Sequence, residues 1–335
     1  TRYIGVTGVQ TCALPIYSTI RANADVSNIG SCPLCQGGPS AGEIWLRAEQ
    51  SFTADNSLIA NTSRGRAQAG ITKIIGDNYF SFGAVGLEPV FIDVPTKVVK
   101  LTHSEVTVEA QGEGLPGYLR IRGENLTMDH SIINSQVNNV TNVRDSTGQL
   151  IDTVGAGEGG RVLTDGRDVQ GILLLSAKVL DITGGGIIAP TQGNRIANRI
   201  ELHADVMTTR PGTEPGGIRT APRILDAADP NRVVISSSST SSGGAGMISI
   251  SGESVPIPDG APYPPSSAIH LTGTDVLTDT SSIGLGGKIE LRAAGPIELH
   301  DTVISANVTD LRPQSLNGQE HSGNIDLSAG SILMD

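Results

Sequence analysis

Two cysteines lie close enough together in the sequence to act as a pair. Cys32 and Cys35 form a C-x-x-C motif next to several glycines. A redox C-x-x-C motif is expected beside a βαβ pattern, and this chain has none. A structural zinc site needs two more ligands, and no second C-x-x-C or H-x₃₋₅-H is present. The motif therefore predicts either a local disulfide that closes a glycine-rich loop or two free thiols.

The histidines are the next candidates for chemistry, and their spacing argues against a metal or cofactor site. No histidine has another His or Cys at the spacing that metal ligands need. His103 and His130 share a column of turn residues with Asn56 and Asp301, so turn geometry accounts for these two histidines. The sequence predicts no metal and no cofactor. The six histidines are His103, His130, His203, His270, His300 and His321.

Carboxylates could act as acids, bases or calcium ligands if they converged on neighbouring strands. The positions expected to face solvent carry charges of both signs, with no cluster visible in the sequence. Ser236 to Ser242 is a serine-rich segment without the G-x-S-x-G pattern of a nucleophile elbow. The sequence therefore predicts a non-catalytic protein with a solvated, charged surface. The charged positions are Glu43, Arg120, Glu201, Glu290 and Asp326.

The first sixteen residues do not read as native protein. Val6 to Ile16 resemble, residue by residue, the in-frame translation of a sequencing-library adaptor. Segments of this kind are excluded from reasoning about the fold. We therefore interpret residues 1–16 as an artefact, residues 17–41 as a glycine- and cysteine-containing loop or degenerate coil, and residues 42–335 as a repeat region truncated at both ends.

Composition restricts the partners and the kind of core. The net charge of −11 disfavours nucleic acid and anionic membranes, which both bind basic patches. No apolar run is long enough to span a bilayer, so membrane insertion is not expected. Aromatic residues make up 3% of the chain, too few for an ordinary globular core, while glycine is abundant at 42 residues.

One pattern recurs seven times and predicts the fold. Glycine, or asparagine in one copy, is followed by aliphatic residues at the second and fourth positions and by a small residue at the sixth. This strict alternation indicates a half-buried β-strand. The first aliphatic column is Ile44, Leu119, Leu173, Ile200, Ile248, Ile289 and Ile325, and the second is Leu46, Ile121, Leu175, Leu202, Ile250, Leu291 and Leu327.

A shorter strand follows after a turn whose residues also line up. The turn column holds Asn56, His103, His130 and Asp301, and hydroxyl residues come next in each copy. A single unit of this kind has nothing to cover its aliphatic residues, so the units must stack. We predict an all-β chain folded as a right-handed, single-stranded parallel β-helix with protruding loops. A β-sandwich would show more hairpin signals, and a propeller would need a repeat closer to forty residues.

The repeats resemble those of filamentous-haemagglutinin-like large exoproteins. The likeness is carried by Gly287 to Ala293 with Ile297 to Asn307, and by Gly42 to Ala48 with Ala54 to Thr62. The motif is common to that class and does not single out one protein. The resemblance implies a Gram-negative adhesin, secreted through an outer-membrane transporter of the two-partner type and held at the cell surface. Its ligand on host cells or bacteria is unknown.

Two other functions remain open at this point. The same shaft could be the stalk of a contact-dependent growth-inhibition toxin whose active domain lies elsewhere. Parallel β-helices also include polysaccharide lyases and hydrolases, so an enzyme of that class is the third hypothesis.

Overall fold

The structure is a computed structural model. It describes residues 3–6, 11–14, 18–26, 42–65, 70–81, 90–111, 117–138, 140–144, 150–155, 161–162, 168–169, 171–192, 197–213, 231–240, 244–253, 263–281, 286–309 and 323–335. The cysteine pair Cys32 and Cys35 and His321 lie outside the described residues.

The described chain is built from β-strands. In chain order they are β1 (Tyr3–Val6), β2 (Thr11–Leu14), β3 (Thr19–Val26), β4 (Glu43–Arg47), β5 (Ser51–Asp55), β6 (Leu58–Gly65), β7 (Ile71–Ile75), β8 (Asp77–Ser81), β9 (Val90–Val94), β10 (Thr96–Thr102), β11 (Glu105–Gln111), β12 (Tyr118–Asn134), β13 (Val137–Asn138), β14 (Val140–Arg144), β15 (Leu150–Gly155), β16 (Arg161–Val162), β17 (Asp168–Val169), β18 (Ile172–Ile188), β19 (Thr191–Gln192), β20 (Arg199–Arg210), β21 (Val233–Ser236), β22 (Met247–Ser251), β23 (Ala268–Thr272), β24 (Thr274–Leu277), β25 (Lys288–Arg292), β26 (Pro296–His300), β27 (Val303–Ser305), β28 (Asn324–Ser328) and β29 (Ser331–Met334).

These strands stack as the coils of a parallel β-helix. In the described residues, each coil pairs in parallel with its neighbours in the chain, and together the coils make a 23-stranded sheet. The nine coils are β1–β3, β4–β6, β7 with β10 and β11, β12 and β13, β18 and β19, β20 and β21, β22–β24, β25–β27, and β28 and β29. The predicted parallel β-helix is thus confirmed. Ile289 pairs with Ile325, and Ile200 pairs with Ile248.

A complete coil contributes to three faces of the tube, whereas the last described coil, β28 and β29, contributes only to the first two. Face 1 contains β1, β4, β7, β22, β25, β28 and the first parts of β12, β18 and β20. Face 2 contains β2, β5, β10, β23, β26, β29 and the next parts of the same long strands. Face 3 contains β3, β6, β11, β13, β19, β21, β24, β27 and the last parts of β12 and β18. The sequence pattern predicted two strands per coil and was incomplete, because at most two residues separate the strands of faces 2 and 3, as between β5 and β6.

The core is a narrow tube lined by the aliphatic columns. Side chains alternate between buried and partly exposed along β4 and β25. Ile44, Leu119, Ile200 and Ile289 are completely buried. The repeat search missed the coil that begins with β7, because Thr72 stands in its aliphatic column and pairs with both Ile44 and Leu119.

The turn between faces 2 and 3 explains the predicted column of turn residues. Positive φ angles of 45° to 46° occur at Asn56, His103, His130 and Asp301, which are the four residues of that column. Gly184 and Gly273 take the same place in two other coils, with φ of 58° and 55°. In the left-handed conformation a Cβ crowds the following carbonyl, so glycine is favoured, and Asn, Asp and His are the other residues enriched there. Turn geometry therefore accounts for both histidines.

Hydroxyl side chains connect these turns from one coil to the next. The backbone N–H of Ser57 donates to Ser104 Oγ at 3.0 Å, and the N–H of Ser104 donates to Ser131 Oγ at 3.0 Å. All three serines are buried. A buried N–H without a partner would be costly, so this ladder of hydroxyls stabilises the corner.

Insertions leave the tube at its corners. β8 and β9 form an antiparallel hairpin between faces 1 and 2 of the third coil. β14 and β15 form another hairpin between the fourth and fifth coils, where β16 and β17 also pair. The strands β10 and β21, which do not carry the sevenfold repeat pattern, also belong to the tube. Ser237 and Ser239 of the serine-rich segment are buried against neighbouring coils.

Adjacent residues of β18 test whether the inward columns hold the fold. Leu180 is 1% exposed and faces the core, whereas Val179 is 41% exposed and faces solvent. We expect Leu180→Ala to lower the free energy of unfolding by about 2–5 kcal/mol, because it leaves a cavity between coils. Val179→Ala should change it by less than about 0.5 kcal/mol. Urea unfolding followed by far-UV circular dichroism measures both, and equal effects would contradict the stacked core.

Candidate functional site

The main polar cluster lies on the outer surface of face 1, across the third to seventh coils. The outward positions of neighbouring strands pair in register there, including Lys73 with Arg120 and His203 with Ser251. Two insertions at the same corner of the tube bring further residues onto this surface. Asp93 comes from β9, and Glu253 and Tyr263 come from the connection between β22 and β23. We call this group the face 1 cluster.

Asp93 connects the β8–β9 hairpin to the tube. Its carboxylate lies 2.8 Å from Arg120 Nη1 and 3.3 Å from Lys73 Nζ, and it is 2% exposed. Arg122 donates a hydrogen bond to the backbone carbonyl of Asp93. Lys73 also lies over the ring of Trp45, with its ammonium 4.7 Å from the ring centroid. The hairpin is therefore held down by one buried carboxylate and its cations.

Glu253 makes a second connection, between residues far apart in the sequence. Its Oε1 accepts a hydrogen bond from Ser176 Oγ at 3.2 Å and lies 3.5 Å from Arg122 Nη2. Burial lowers the pKa of Arg122, and the neighbouring charge of Arg120 adds to that effect. Glu253 acts in the opposite direction, because a nearby carboxylate favours the charged guanidinium.

Glu201, His203 and Ser251 form a chain of hydrogen bonds. His203 Nε2 lies 3.1 Å from Glu201 Oε2, and His203 Nδ1 lies 2.8 Å from Ser251 Oγ. Burial would raise the pKa of Glu201, but the hydrogen bond from His203 and the charge of Arg199 together lower it. An ionised carboxylate, an imidazole and a hydroxyl in this order are the components that activate a serine nucleophile.

The surroundings of this chain do not suit attack on a substrate. Ser251 and His203 are each 2% exposed, so a substrate carbonyl has no approach to Ser251 Oγ. The Tyr263 ring stacks on His203 with centroids 3.5 Å apart. Burial raises the pKa of the Tyr263 hydroxyl, and it raises the pKa of Tyr118 to about 12. The arrangement serves to dock Tyr263, and with it an insertion, onto the tube.

The face 1 cluster corrects one expectation from the sequence. Arg120 and Glu201 were expected to be isolated, solvated charges, but both join a buried network. Glu290 is half-buried and pairs with the half-buried Lys288 at 3.0 Å, outside the cluster. The pattern of repeats gave no sign of the cluster, because Asp93, Glu253 and Tyr263 belong to insertions outside the repeat.

The other described histidines lie outside the face 1 cluster. His103 and His130 stack with ring centroids 5.4 Å apart, and His130 Nδ1 lies 2.7 Å from Asp129. His270 pairs with Glu298 at 2.8 Å, and His300 contacts Asp335. Within the described residues, no group of three or more His, Cys, Asp or Glu side chains could hold a metal ion.

A second titratable site lies on the outer surface of face 3. Glu105 stands between Leu58 and Ile132 of the neighbouring coils. Burial, together with the negative charge of Glu109, raises the pKa of Glu105 to about 7. Glu109 itself accepts a hydrogen bond from Asn134 Nδ2 at 2.9 Å. Glu105 therefore exchanges its proton near neutral pH.

Comparison with known proteins identified no relative of this chain. No family model matches the chain, and no curated protein or solved structure matches it. No helix in the described part of the chain is long and apolar enough to cross a bilayer.

Asp93→Asn tests the docking of the hairpin. Removing the charge leaves Lys73 and Arg120 without their counter-ion in a buried setting, so we expect a loss of about 3 kcal/mol. The matched control is Glu290→Gln on the same face, whose partner Lys288 is only half-buried, and it should cost less than about 1 kcal/mol. Urea unfolding gives both values, and limited proteolysis between residues 77 and 94 should accelerate in Asp93→Asn alone. Similar losses in both variants would contradict the role of Asp93.

Glu105→Gln tests the shifted carboxyl. Because the folded pKa is raised from 4.5 to about 7, the native state binds the proton more tightly than the unfolded state. Stability should therefore fall as the pH rises from about 4.5 through 7. The variant should match the wild type at pH 4 and exceed it at pH 8 by about 1–2 kcal/mol, after allowance for solvent screening. Denaturation at a series of pH values measures this, with Glu124→Gln as control, since Glu124 is paired with Lys178 on the outer surface. An unchanged pH slope in Glu105→Gln would contradict the prediction.

Proposed function

We propose that this chain is part of the shaft of a secreted, cell-surface adhesin of the filamentous-haemagglutinin type, and that it is non-catalytic. The observation that carries the proposal is the continuous register of parallel coils, from β4 through β28 on face 1. Each coil adds about 4.8 Å to the length of the rod. A longer chain therefore makes a longer rod, and a surface filament must be long to extend away from the cell.

The energetics of such a rod also fit export through a narrow pore. Each coil contacts its immediate neighbours, so folding can begin at one end and proceed coil by coil. A chain that emerges extended from an outer-membrane transporter could fold outside the cell in this way. This supports, by physical argument, export of the two-partner type by a Gram-negative bacterium.

The insertions are the natural places for ligand contact. Binding residues are often found on loops that a rigid scaffold positions. The connection between β13 and β18 is the longest one between coils in this chain, and it contains the β14–β15 hairpin. We propose that ligand contacts on host or bacterial surfaces are made by such insertions and not by the faces of the tube.

A polysaccharide lyase or hydrolase is less well supported. The face 1 cluster has the residue types of an active site, but its carboxylates are occupied by Arg, Lys and His partners, and Ser251 is buried. The two shaft functions, adhesin and toxin stalk, differ in what accompanies the shaft. The intact gene and its neighbours would separate them, since a nuclease-like tail with an immunity gene indicates a toxin.

Binding to cells tests the adhesin proposal directly. The labelled protein should bind saturably to epithelial or bacterial cells. Replacing residues 139–170 with a short Gly-Ser linker should weaken that binding at least tenfold while leaving the circular dichroism spectrum of the tube unchanged. Replacement of residues 310–322 serves as the control insertion. Absence of saturable binding to every surface, or turnover of pectin by the protein, would contradict the proposal.

A further inference from the structure

Three polar residues of β11 lie side by side on the outer surface of face 3. Glu105, Thr107 and Glu109 alternate along the strand with Val106 and Val108, which are completely buried in the core. Side chains alternate between the two sides of a strand, so both carboxylates and the hydroxyl between them point away from the core. Both glutamates are partly exposed, so ions from solvent can reach them.

The next coil adds an amide to this group. Asn134 of β12 pairs with Thr107 in register, and its Nδ2 donates a hydrogen bond to Glu109 Oε1 at 2.9 Å. This bond fixes the orientation of the amide, because the nitrogen faces Glu109 and leaves Oδ1 as an acceptor. We call Glu105, Thr107, Glu109 and Asn134 the face 3 cluster. Each of the four side chains contributes oxygen atoms to it.

Two of these oxygens are buried without a hydrogen-bond partner. Thr107 is 4% exposed and Asn134 is completely buried. In the described part of the chain, neither Thr107 Oγ1 nor Asn134 Oδ1 has a partner. A buried polar atom without a partner is costly, and native structures satisfy nearly all such atoms. A cation would satisfy both oxygens at once, and it is the partner that two neighbouring carboxylates attract.

The electrostatics of the cluster also favour a cation. Burial and the negative charge of Glu109 together raise the pKa of Glu105 to about 7. A positive charge between the two carboxylates would relieve this repulsion and favour the ionised form of Glu105.

The neighbouring strands do not place a basic residue directly beside the cluster. The positions paired with Glu105, Thr107 and Glu109 are uncharged. Basic residues enter the register further away, at Arg64, which pairs with Gln111 at the end of β11, and at Arg21, which pairs with Ala60. The paired uncharged positions are Leu58, Ala60 and Thr62 in β6, and Ile132 and Asn134 in β12.

Calcium is the cation that suits these ligands. It accepts six to eight oxygen ligands from carboxylates, amide carbonyls and water in a flexible geometry, whereas magnesium demands a nearly ideal octahedron. Four side chains on two adjacent strands can supply only one side of the shell, so water completes it. Because the site has only two carboxylates, we expect a dissociation constant of roughly 10⁻⁴–10⁻³ M.

We propose that the face 3 cluster binds one calcium ion through Glu105, Thr107, Glu109 and Asn134, and that the ion ties β11 to β12. The carboxylates must be ionised to bind the metal, so a proton leaves Glu105 for solvent as calcium enters. The spacing of residues in the sequence predicted no metal site, because Asn134 comes from a different coil. This inference is independent of the proposed adhesin function.

Thr107→Val tests the site with the least change in shape. Valine fills the space of threonine without the hydroxyl, so the variant removes one ligand and keeps both carboxylates. Isothermal titration calorimetry of the whole chain with calcium chloride at about pH 8 should show one site. We expect Thr107→Val to weaken it at least about tenfold. Thr127→Val, at a half-buried position of face 2, is the matched control and should bind like the wild type. Circular dichroism verifies that both variants fold.

The pH dependence of binding provides a second measurement. Because the pKa of Glu105 is about 7, the calcium affinity of the wild type should rise about tenfold between about pH 6 and 8. Glu105→Gln should bind more weakly and lose this dependence. Absence of a site at pH 8, or equal binding by the wild type and Thr107→Val, would overturn the proposal. Equal binding of magnesium would also overturn it, since it would indicate general attraction to an acidic chain.

Discussion

The structure depends on burial of aliphatic side chains between one coil and the next. A single coil is too thin to enclose its own Ile, Leu and Val residues, so each of them is buried by the coils above and below. Ile289, with a coil on both sides, is completely buried, while Ile325, with a coil on one side, is 43% exposed. Hydrogen bonds between parallel strands follow the same arrangement, because they run from coil to coil. The stability of the tube is therefore a sum of interfaces between neighbours. This also explains why an aromatic-poor chain can fold, since the narrow tube is filled by aliphatic residues.

Positions on the outer surface of the tube are not restricted to aliphatic residues, and the polar clusters of the molecule lie there. In the described residues with assigned exposure, Phe52 is completely buried, while Trp45 and Tyr263 lie on the outside of face 1 next to insertions. Three carboxylates of the face 1 cluster, Asp93, Glu201 and Glu253, each have a cationic or histidine partner. Burying a charge is costly unless it is paired. The cluster therefore connects insertions to the tube. Its carboxylates are paired within the protein, so they are not available to bind a substrate. This is the physical reason for favouring a shaft over an enzyme.

Much of this architecture could be predicted from the sequence. The period of two and the leading glycine identified the face 1 strand of seven coils, because buried and exposed sides alternate locally along a strand. The column of Asn56, His103, His130 and Asp301 marked a turn, because few residues other than glycine tolerate positive φ. The coil that begins with β7 escaped notice because a single polar residue, Thr72, interrupts its aliphatic column. Three faces per coil were not evident either, since β12 and β18 continue through two corners as unbroken strands.

The sequence by itself determined that successive units carry identical columns and must stack, since no unit can cover its own apolar residues. The tertiary structure alone decided which outward residues become neighbours. Arg122 and Glu253 are 131 positions apart, yet they meet because the connection between β22 and β23 folds back over the face of the tube that carries Arg122. The raised pKa of Glu105 likewise follows from its burial in the stacked coils and from the negative charge of Glu109. Local alternation specifies the direction of a side chain, whereas its partners depend on how many residues each insertion places between coils.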